Sequence, residues 1–491
     1  MYKDTSPHNK QHTSTMTHAE IQKLYTEEGQ GHLFQHVDKL STAEQNEFYD
    51  NLSKLATRIT PTKIQNSYKK SLESLKSDDN EHADIQTLPN TSYESIIGNP
   101  TLSQEYWNIG LDAIQKGKVA VILMAGGQGT RLGSSSPKGC YDINLPSHKS
   151  LFQIQAEKIW RLQQLSGCKV DIPWYIMTSE PTRASTEAFF IQNQYFDLKK
   201  EQICFFNQGT LPALDSNGQK MFLSSPTDIA QSPDGNGGLY HAIKDNNLLQ
   251  DFQRRGVKHI YMYCVDNVLS KVADPVFIGF SIKHNFQLAT KAVRKRDAHE
   301  SVGLIASRNG RPCVIEYSEI SKELAEERDA DGLLKLRAGN IVNHYYSIEL
   351  LEKQLNHWCE NSTYHIAKKK IPYFDNIKNE NIKPEETNGV KLEQFIFDVF
   401  PEIPLDRFGC LEVDRAEEFS PLKNASGTAN DNPETARRAY MELGTQWLKD
   451  AGANISDNIH IEVSNKISYH GENLNKYEGK TLSENDSLLE L

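Results

Sequence analysis

Cationic and hydroxyl side chains accompany a glycine-rich loop in the first third of the chain. Three glycines fall within four positions of this loop, Gly126, Gly127 and Gly129. Glycines let a backbone approach a ligand closely and turn its N–H groups inward, which favours anion binding. Thr130, Arg131 and Lys138 add a hydroxyl donor and two cations. The residue types and their spacing therefore predict a phosphate-binding site.

Two familiar phosphate-binding patterns do not fit this loop. The dinucleotide pattern G-x-G-x-x-G, counted from Gly127, requires glycine at its sixth position, where the chain has Leu132. The Walker pattern requires Gly-Lys-Ser/Thr at a spacing that the loop lacks. The sequence thus argues against an NAD-dependent oxidoreductase and against a Walker-type nucleotide site, and it leaves a phosphate site of another kind.

A carboxylate follows another apolar run of the chain. Residues 259–265 are mostly apolar, and Asp266 comes directly after them. A carboxylate at the end of a buried strand can hold Mg²⁺ between phosphate oxygens. A cap for the following turn is the alternative function of Asp266. The pattern alone leaves both interpretations open.

The elements that must position these residues alternate between strand and helix. Residues 119–124, VAVILM, are wholly apolar and end at the glycine loop, which is typical of a buried parallel strand. Comparable runs lie at 174–177, 203–206, 259–265, 302–306 and 313–317, with a helical pattern at 151–165. This alternation predicts an α/β fold with a mostly parallel central sheet. Ligands of such sheets bind beyond the carboxyl ends of the strands.

The regions on either side of this pattern have a different character. Residues 1–18 predict a disordered leader, and the following residues to about 75 have helical periodicity with a capping box at Ser41 and Glu44. Near the other terminus, residues 459–471 alternate between apolar and polar, which predicts an exposed antiparallel strand. We therefore predict three domains: a mainly helical N-terminal domain at 1–114, a central domain at 115–410 and a small C-terminal domain at 411–491.

Composition limits the class of protein. The net charge of −11 argues against nucleic-acid binding, which requires a basic face. The seven cysteines are scattered without a C-x-x-C pair, so neither a zinc site nor a disulfide framework is predicted. The polar N-terminus lacks the apolar core of a signal peptide, and the apolar run at the loop is shorter than a membrane span. We expect a cytoplasmic protein with no membrane partner.

An ordered series of motifs extends the glycine loop. The stretch from Leu123 to Gly139 reads L-x-A-G-G-x-G-T-R-L-G-x(3)-P-K-G, and Asp142 follows it. Further blocks are Asn207-Gln208-Gly209, residues 233–238 (PDGNGG), Val265-Asp266-Asn267, residues 314–317 (VIEY), Gly339-Asn340-Ile341, residues 388–393 (NGVKLE) and residues 419–424 (FSPLKN). Over residues 100–440 the chain resembles the UDP-sugar pyrophosphorylases, in the form of the eukaryotic UDP-N-acetylglucosamine pyrophosphorylases.

The resemblance implies a fold, a reaction and a set of site residues. It implies a Rossmann-like, GT-A-like nucleotidyltransferase domain that joins UTP and N-acetylglucosamine 1-phosphate into UDP-N-acetylglucosamine and pyrophosphate, with Mg²⁺ at Asp266. Catalytic cations on the phosphates would be Arg131, Lys138, Lys391 and Lys423. Nucleotide contacts would come from Gly126, Gly127, Gly129, Thr130, Gln208, Gly235 and Asp266. Sugar contacts would come from Asn236, Glu316, Tyr317 and Asn340.

Two other functions remain possible from the sequence. The same chemistry on glucose 1-phosphate or on a broad set of sugar phosphates differs only in the sugar-binding blocks. A non-catalytic UDP-sugar-binding protein is the other, although the retention of Arg131 and Lys138 argues against it. We expect a monomer or a weak dimer.

Overall fold

A computed structural model describes residues 16–77, 84–316, 319–361 and 363–490. The helices of these residues are α1 His18–Glu27, α2 Thr42–Arg58, α3 Pro61–Ser77, α4 Pro100–Gln115, α5 Leu151–Ser166, α6 Glu180–Gln192, α7 Leu239–Asp245, α8 Leu248–Arg254, α9 Pro275–Lys283, α10 Lys322–Glu326, α11 Ile348–Asn361, α12 Arg415–Glu418 and α13 Pro433–Asp450. None of them is long and apolar enough to cross a membrane.

The strands of the described residues are mostly short. They are β1 Ile85–Gln86, β2 Tyr93–Ser95, β3 Val119–Met124, β4 Trp174–Thr178, β5 Ile203–Asn207, β6 Thr210–Pro212, β7 Leu214–Asp215, β8 Leu223–Ser225, β9 Asp228–Ile229, β10 Gln231–Pro233, β11 His259–Cys264, β12 Leu288–Arg294, β13 Leu304–Arg308, β14 Arg311–Ile315, β15 Ala338–Ser347, β16 His365–Lys369, β17 Tyr373–Asp375, β18 Glu380–Ile382, β19 Gly389–Glu393, β20 Phe408–Val413, β21 Asn454–Ile455, β22 Ile461–Val463, β23 Thr481–Leu482 and β24 Ser487–Leu489.

The chain divides into two compact units. The described residues of unit 1 are 16–77, 210–238 and 363–395, and those of unit 2 are the remainder. The domain limits predicted after residues 114 and 410 differ from these units. One reason is that α4 packs on α9, where Gly110 lies against the carbonyl of Pro275 and Gly279 against that of Tyr106 so closely that no Cβ would fit. Residues 100–115 therefore belong with the central sheet rather than with α1–α3.

The central sheet of unit 2 has the strand order β2-β20-β12-β15-β11-β3-β4-β5. Along this order neighbouring strands run parallel except at β15, which is antiparallel to both β12 and β11. The strands β1, β13 and β14 join the same sheet beside β15 through antiparallel pairs. This confirms the mostly parallel α/β sheet. Met124 of β3 lies opposite both Cys264 of β11 and Met177 of β4, and Thr178 lies opposite Asn207 of β5. Four carboxyl ends therefore meet along one edge.

Helices cover both faces of this sheet, which explains the wholly apolar β3. Ala120, Ile122 and Met124 pack in a core that includes residues of α7, α8 and α11. Val119, Val121 and Leu123 point to the other face, in a core that includes residues of α4, α5 and α9. Because all six β3 side chains are buried, the apolar run correctly predicted a central strand.

Unit 1 has its own core between helices and small sheets. The predicted capping box is confirmed, since Ser41 Oγ accepts from Glu44 N at 3.3 Å and the Glu44 carboxylate accepts from Ser41 N at 2.8 Å. The helix that it begins, α2, buries Phe48 and Leu52. Antiparallel pairing joins β16 to β19 and β19 to β7. The leader predicted at 1–18 lies largely outside the described residues.

The prediction of an exposed antiparallel strand near the C-terminus is wrong. β22 pairs in parallel with β24 and all three of its residues are buried. Two polar positions of the alternation are buried as well: Glu462 accepts from Ser147 N at 2.9 Å, and Ser464 Oγ accepts from Lys149 Nζ at 3.1 Å. In this segment the apolar residues pack in a core, and the polar residues Glu462 and Ser464 contact residues 147–149 rather than solvent.

Candidate functional site

The glycine loop begins one residue after β3 and folds back on itself. Gly129 N donates to Ser136 O at 3.0 Å, and Lys138 N donates to Gly127 O at 3.2 Å. These two bonds close the loop and place Lys138 across from Gly127. Thr130 and Arg131 lie in a single 3₁₀ turn and are exposed, as is Gly127. The loop therefore presents backbone, a hydroxyl and two cations from one short segment.

Asp266 brings a carboxylate to the same edge, because β11 pairs with β3. Burial lowers the pKa of Lys138, the nearby Asp266 raises it, and Lys423 and Arg131 lower it again. Three cations and one carboxylate thus lie within electrostatic reach of one another. An anionic ligand here would relieve the repulsion among the cations, which is the property expected of a polyphosphate site.

Lys423 reaches this edge through backbone contacts of its own segment. Leu422 N donates to Asp266 O at 2.8 Å, and Pro421 forms an antiparallel bridge with Asn267. Lys423 itself is exposed and lines a cavity of about 500 Å³ together with residues 296–302. The structure therefore brings together Lys423 and Asp266, which are far apart in the sequence.

Gln208 directly follows β5, which is separated from β3 by β4 in the sheet. Its backbone N donates to Thr178 O at 2.7 Å, and its side chain lies beside the first glycine of the loop. A Cβ at Gly126 would come within 2.8 Å of Gln208 Oε1. The Gln208 side chain thus approaches Gly126 closely and would have to shift to admit a Cβ there. Gln208 and the loop lie at the same edge of the sheet.

Two of the predicted sugar-binding residues lie close to Gly303. Asn340 N donates to Gly303 O at 2.8 Å, while Glu316 Oε1 lies 3.9 Å from the position of a Cβ on Gly303. Glu316 is exposed, but Asn340 is 8% exposed and its Oδ1 accepts from Val342 N at 3.0 Å. That bond supports a residue with φ of 54°, so Asn340 has a structural function whatever else it contacts. Tyr317 lies outside the described residues.

The other predicted residues, Gly235, Asn236 and Lys391, lie in unit 1. Gly235 has φ of 87°, and it packs so closely on the backbone carbonyl of Gln394 that no Cβ would fit. Gly237 N donates to Gln394 O at 2.8 Å, and Gln394 N donates to Asp234 O at 2.8 Å. Lys391 is three residues earlier, in β19. Close packing within unit 1 thus accounts for the glycines of residues 235–238.

A supporting layer beneath the Asp266 loop was missed by the sequence analysis. Lys158 is buried in α5, and its Nζ donates to Val268 O at 3.0 Å and to Ser270 O at 2.8 Å. Burial, with Lys271 nearby, lowers its pKa to about 7. The available signal was spacing, because Lys158 falls four residues from both Ile154 and Leu162 on the apolar stripe of the helix.

Comparison with known proteins decides the family. A family model described as UTP--glucose-1-phosphate uridylyltransferase matches residues 62–435. The chain belongs to this family. It is 62% identical over 476 residues to the UDP-N-acetylglucosamine pyrophosphorylase of Saccharomyces cerevisiae, covering 96% of this chain and 99% of the relative.

More distant members of the family agree along almost the whole chain. The chain is 41% identical to the UDP-N-acetylhexosamine pyrophosphorylase-like protein 1 of Xenopus tropicalis, covering 92% of each. It is also similar to a crystal structure of the Trypanosoma brucei uridine diphosphate N-acetylglucosamine pyrophosphorylase in complex with an inhibitor, with a TM-score of 0.82, 29% identity, and coverage of 94% of this chain and 95% of that one. These matches confirm the resemblance and the fold class predicted from the sequence.

Proposed function

We propose that this chain transfers the uridylyl group of UTP to N-acetylglucosamine 1-phosphate, forming UDP-N-acetylglucosamine and releasing pyrophosphate. The observation that carries the proposal is the cluster of Arg131, Lys138, Lys423 and Asp266 beside the glycine loop at the carboxyl edge of the sheet. The names of the relatives support the same substrates.

The chemistry requires positioning and charge stabilisation more than proton transfer. The sugar phosphate is already an anion, so it attacks the α-phosphorus of UTP without a general base. The bond from the α-phosphorus to the bridging oxygen breaks, and pyrophosphate leaves with the electron pair. The main barrier is the approach of two anions and the growth of charge on phosphate oxygens. Lys138 and Arg131 are suited to oppose that charge, and the loop N–H groups to hold the phosphates.

Asp266 is suited to bind a metal ion that the substrate phosphates also bind. Among the described residues no group of three or more His, Cys, Asp or Glu side chains is arranged to hold a metal. Mg²⁺ commonly binds through one or two carboxylates together with substrate phosphates and water, so a single carboxylate beside a phosphate cradle suits it. In our proposal Asp266 holds Mg²⁺, which would neutralise phosphate charge when bound. Chelation by EDTA should abolish turnover, and added Mg²⁺ should restore it.

The remaining assignments extend the proposal to the base and the sugar. Gln208 has an amide that matches the imide edge of uracil, and Glu316 and Asn340 offer groups that match sugar hydroxyls and the N-acetyl amide. Asn236 as a sugar contact, Gly235 as a nucleotide contact and Lys391 as a catalytic cation on the phosphates follow from the sequence resemblance. We propose that the protein is cytoplasmic and acts as a monomer or weak dimer. The described residues, which include all seven cysteines, contain no disulfide, in accord with a reducing compartment.

Pyrophosphate release tests the catalytic part. Lys138→Ala should lower kcat/KM by about 100- to 1000-fold, as for the loss of one transition-state cation or donor. Lys116→Ala is the matched control, since Lys116 is an exposed lysine of the same unit that pairs with Asp112 at 2.6 Å. Equal rates for Lys138→Ala and the wild type would refute the mechanism. Inactivity of the wild type with binding of UDP-sugar would support a non-catalytic binding protein instead.

Competition between sugar phosphates tests the acceptor. We expect a higher kcat/KM for N-acetylglucosamine 1-phosphate than for glucose 1-phosphate, and N-acetylgalactosamine 1-phosphate in the same assay measures how strictly the 4-hydroxyl is read. A clear preference for glucose 1-phosphate would contradict the proposed acceptor while leaving the uridylyl transfer intact.

A further inference from the structure

Lys423 depends on its backbone for its position. The side chain is exposed, whereas the neighbouring Leu422 is fully buried and donates its N–H to Asp266 O at 2.8 Å. The contacts that hold the segment Glu418–Leu422 in place therefore help to determine where the side chain of Lys423 starts. Besides this backbone bond, the structure shows two side-chain attachments of that segment to the rest of unit 2.

The first attachment is the side chain of Asn267, the residue after Asp266. Its Nδ2 donates to Glu418 O at 2.6 Å, and its Oδ1 accepts from Ser420 N at 2.9 Å. Asn267 is 4% exposed, so both bonds are shielded from water. One amide thus satisfies an acceptor and a donor of the same segment, while its own backbone continues from Asp266.

The second attachment is the carboxylate of Glu418. It pairs with the fully buried Lys291, which also pairs with Asp274 at 2.6 Å, and it lies 3.6 Å from Lys271. This network fixes one end of the segment. It does not reach Ser420, so the register between the segment and Asp266 depends on the bond from Leu422 N to Asp266 O and on the amide of Asn267, which is the side chain that binds Ser420 N.

We propose that Asn267 is a positioning residue for the reaction, which holds the segment Glu418–Leu422 against Asp266 so that Lys423 lies at the phosphate site. The inference rests on the proposed function of Lys423. The residue type is constrained, since aspartate in place of asparagine keeps the acceptor for Ser420 N but cannot donate to Glu418 O, and it places a further negative charge beside Asp266. Alanine removes both bonds to the segment, together with the bond that Oδ1 accepts from Leu269 N at 3.3 Å.

A double-mutant cycle tests whether Asn267 acts through Lys423. We expect Asn267→Ala and Lys423→Ala each to lower kcat/KM by about 10- to 100-fold, as for a lost charge-assisted contact with phosphate. In the Lys423→Ala background, Asn267→Ala should cause almost no further loss. Independent, multiplying losses would overturn the proposal, because a general loss of structure would act whether or not Lys423 is present.

Asn465→Ala is the matched control. Asn465 is a buried amide of the same unit that accepts from Tyr440 OH at 2.7 Å and donates to Ser468 O at 3.2 Å. Its loss should lower the melting temperature much as the loss of Asn267 does, but it should lower kcat/KM by a similar factor with and without Lys423→Ala, or not at all. A cycle for Asn465 that matches the Asn267 cycle would overturn the proposal.

Two further measurements keep the outcome decisive. If Asn267→Ala does not fold, Asn267→Asp replaces it in the cycle, with the same expectation. UTP affinity, measured by calorimetry on the same variants, provides a readout that needs no turnover. A wild type that binds UTP without turnover would refute the proposed function, and the affinity cycle would still decide whether Asn267 and Lys423 are coupled.

Discussion

Gly127→Ala tests a glycine that a ligand requires and the fold does not. A Cβ at Gly127 would meet no atom of the described residues within 4 Å, and its φ is not in the left-handed region. At Gly126, in contrast, a Cβ would come within 2.8 Å of Gln208 Oε1. We therefore expect Gly127→Ala to fold normally, with a gain in stability of up to about 1 kcal/mol because alanine restricts the unfolded chain.

The expected loss concerns nucleotide binding. Lys138 N donates to Gly127 O, so the loop cannot turn away from an added methyl group without breaking that bond. The methyl would keep a phosphate from the loop N–H groups. A hydrogen bond to a charged group contributes about 1.5–3 kcal/mol, and 1.4 kcal/mol is tenfold in affinity. Losing one such bond should raise the Kd of UTP by about 10- to 100-fold.

The assay compares three quantities for the wild type, Gly127→Ala and Gly126→Ala: the melting temperature, the Kd of UTP by calorimetry, and kcat/KM from pyrophosphate release. Gly126→Ala should lose affinity as well, because the end of the Gln208 side chain must shift away from the added Cβ. The reasoning is refuted if Gly127→Ala binds UTP within about twofold of the wild type at an unchanged melting temperature. A large fall in its melting temperature would contradict the open space seen beside Gly127.

Three further predictions concern stability. Burial lowers the pKa of His344 to about 3, so below about pH 6.5 the unfolded chain binds a proton that the folded chain does not bind. In urea titrations, lowering the pH from about 7.5 to 5 should therefore reduce the unfolding free energy of the wild type by about 2 kcal/mol more than that of His344→Phe. A Cβ at Gly139 would overlap the ring of the fully buried Phe152, so Gly139→Ala should cost about 1–3 kcal/mol in the same measurement. Burial lowers the pKa of Lys158 to about 7, so raising the pH from about 7.5 to 8.5 should stabilise the wild type by about 1 kcal/mol relative to Lys158→Met.

The fold could be predicted where the sequence pattern is unmixed. β3 is apolar at every position because helices cover both faces, and a wholly apolar run has few other interpretations. β15 was missed although it is the longest strand among the described residues. It contains Asn340, Asn343 and His344, all buried, so it lacks both the apolar run and the regular alternation by which strands are predicted.

The exposed part of the site could be predicted for a different reason. The loop that carries the glycines, Arg131 and Lys138 follows β3, Asp266 follows β11, and parallel strands bring their carboxyl ends to one edge. Local spacing was enough to place these residues. The position of Lys423 was expected only from the resemblance, because its segment reaches the edge through hydrogen bonds to Asp266 and Asn267 that no periodicity reveals.

The buried lysines show why charge counts mislead in this protein. The net charge of −11 predicts nothing about the phosphate site, where Arg131, Lys138 and Lys423 outnumber Asp266. Beneath that edge, Lys291 is neutralised by Asp274 and Glu418, whereas Lys158 has only carbonyl acceptors and a lowered pKa. Cations with carboxylate partners fix the segment that carries Lys423. At the ligand edge the cations outnumber the carboxylate, and an anionic substrate supplies the missing negative charge.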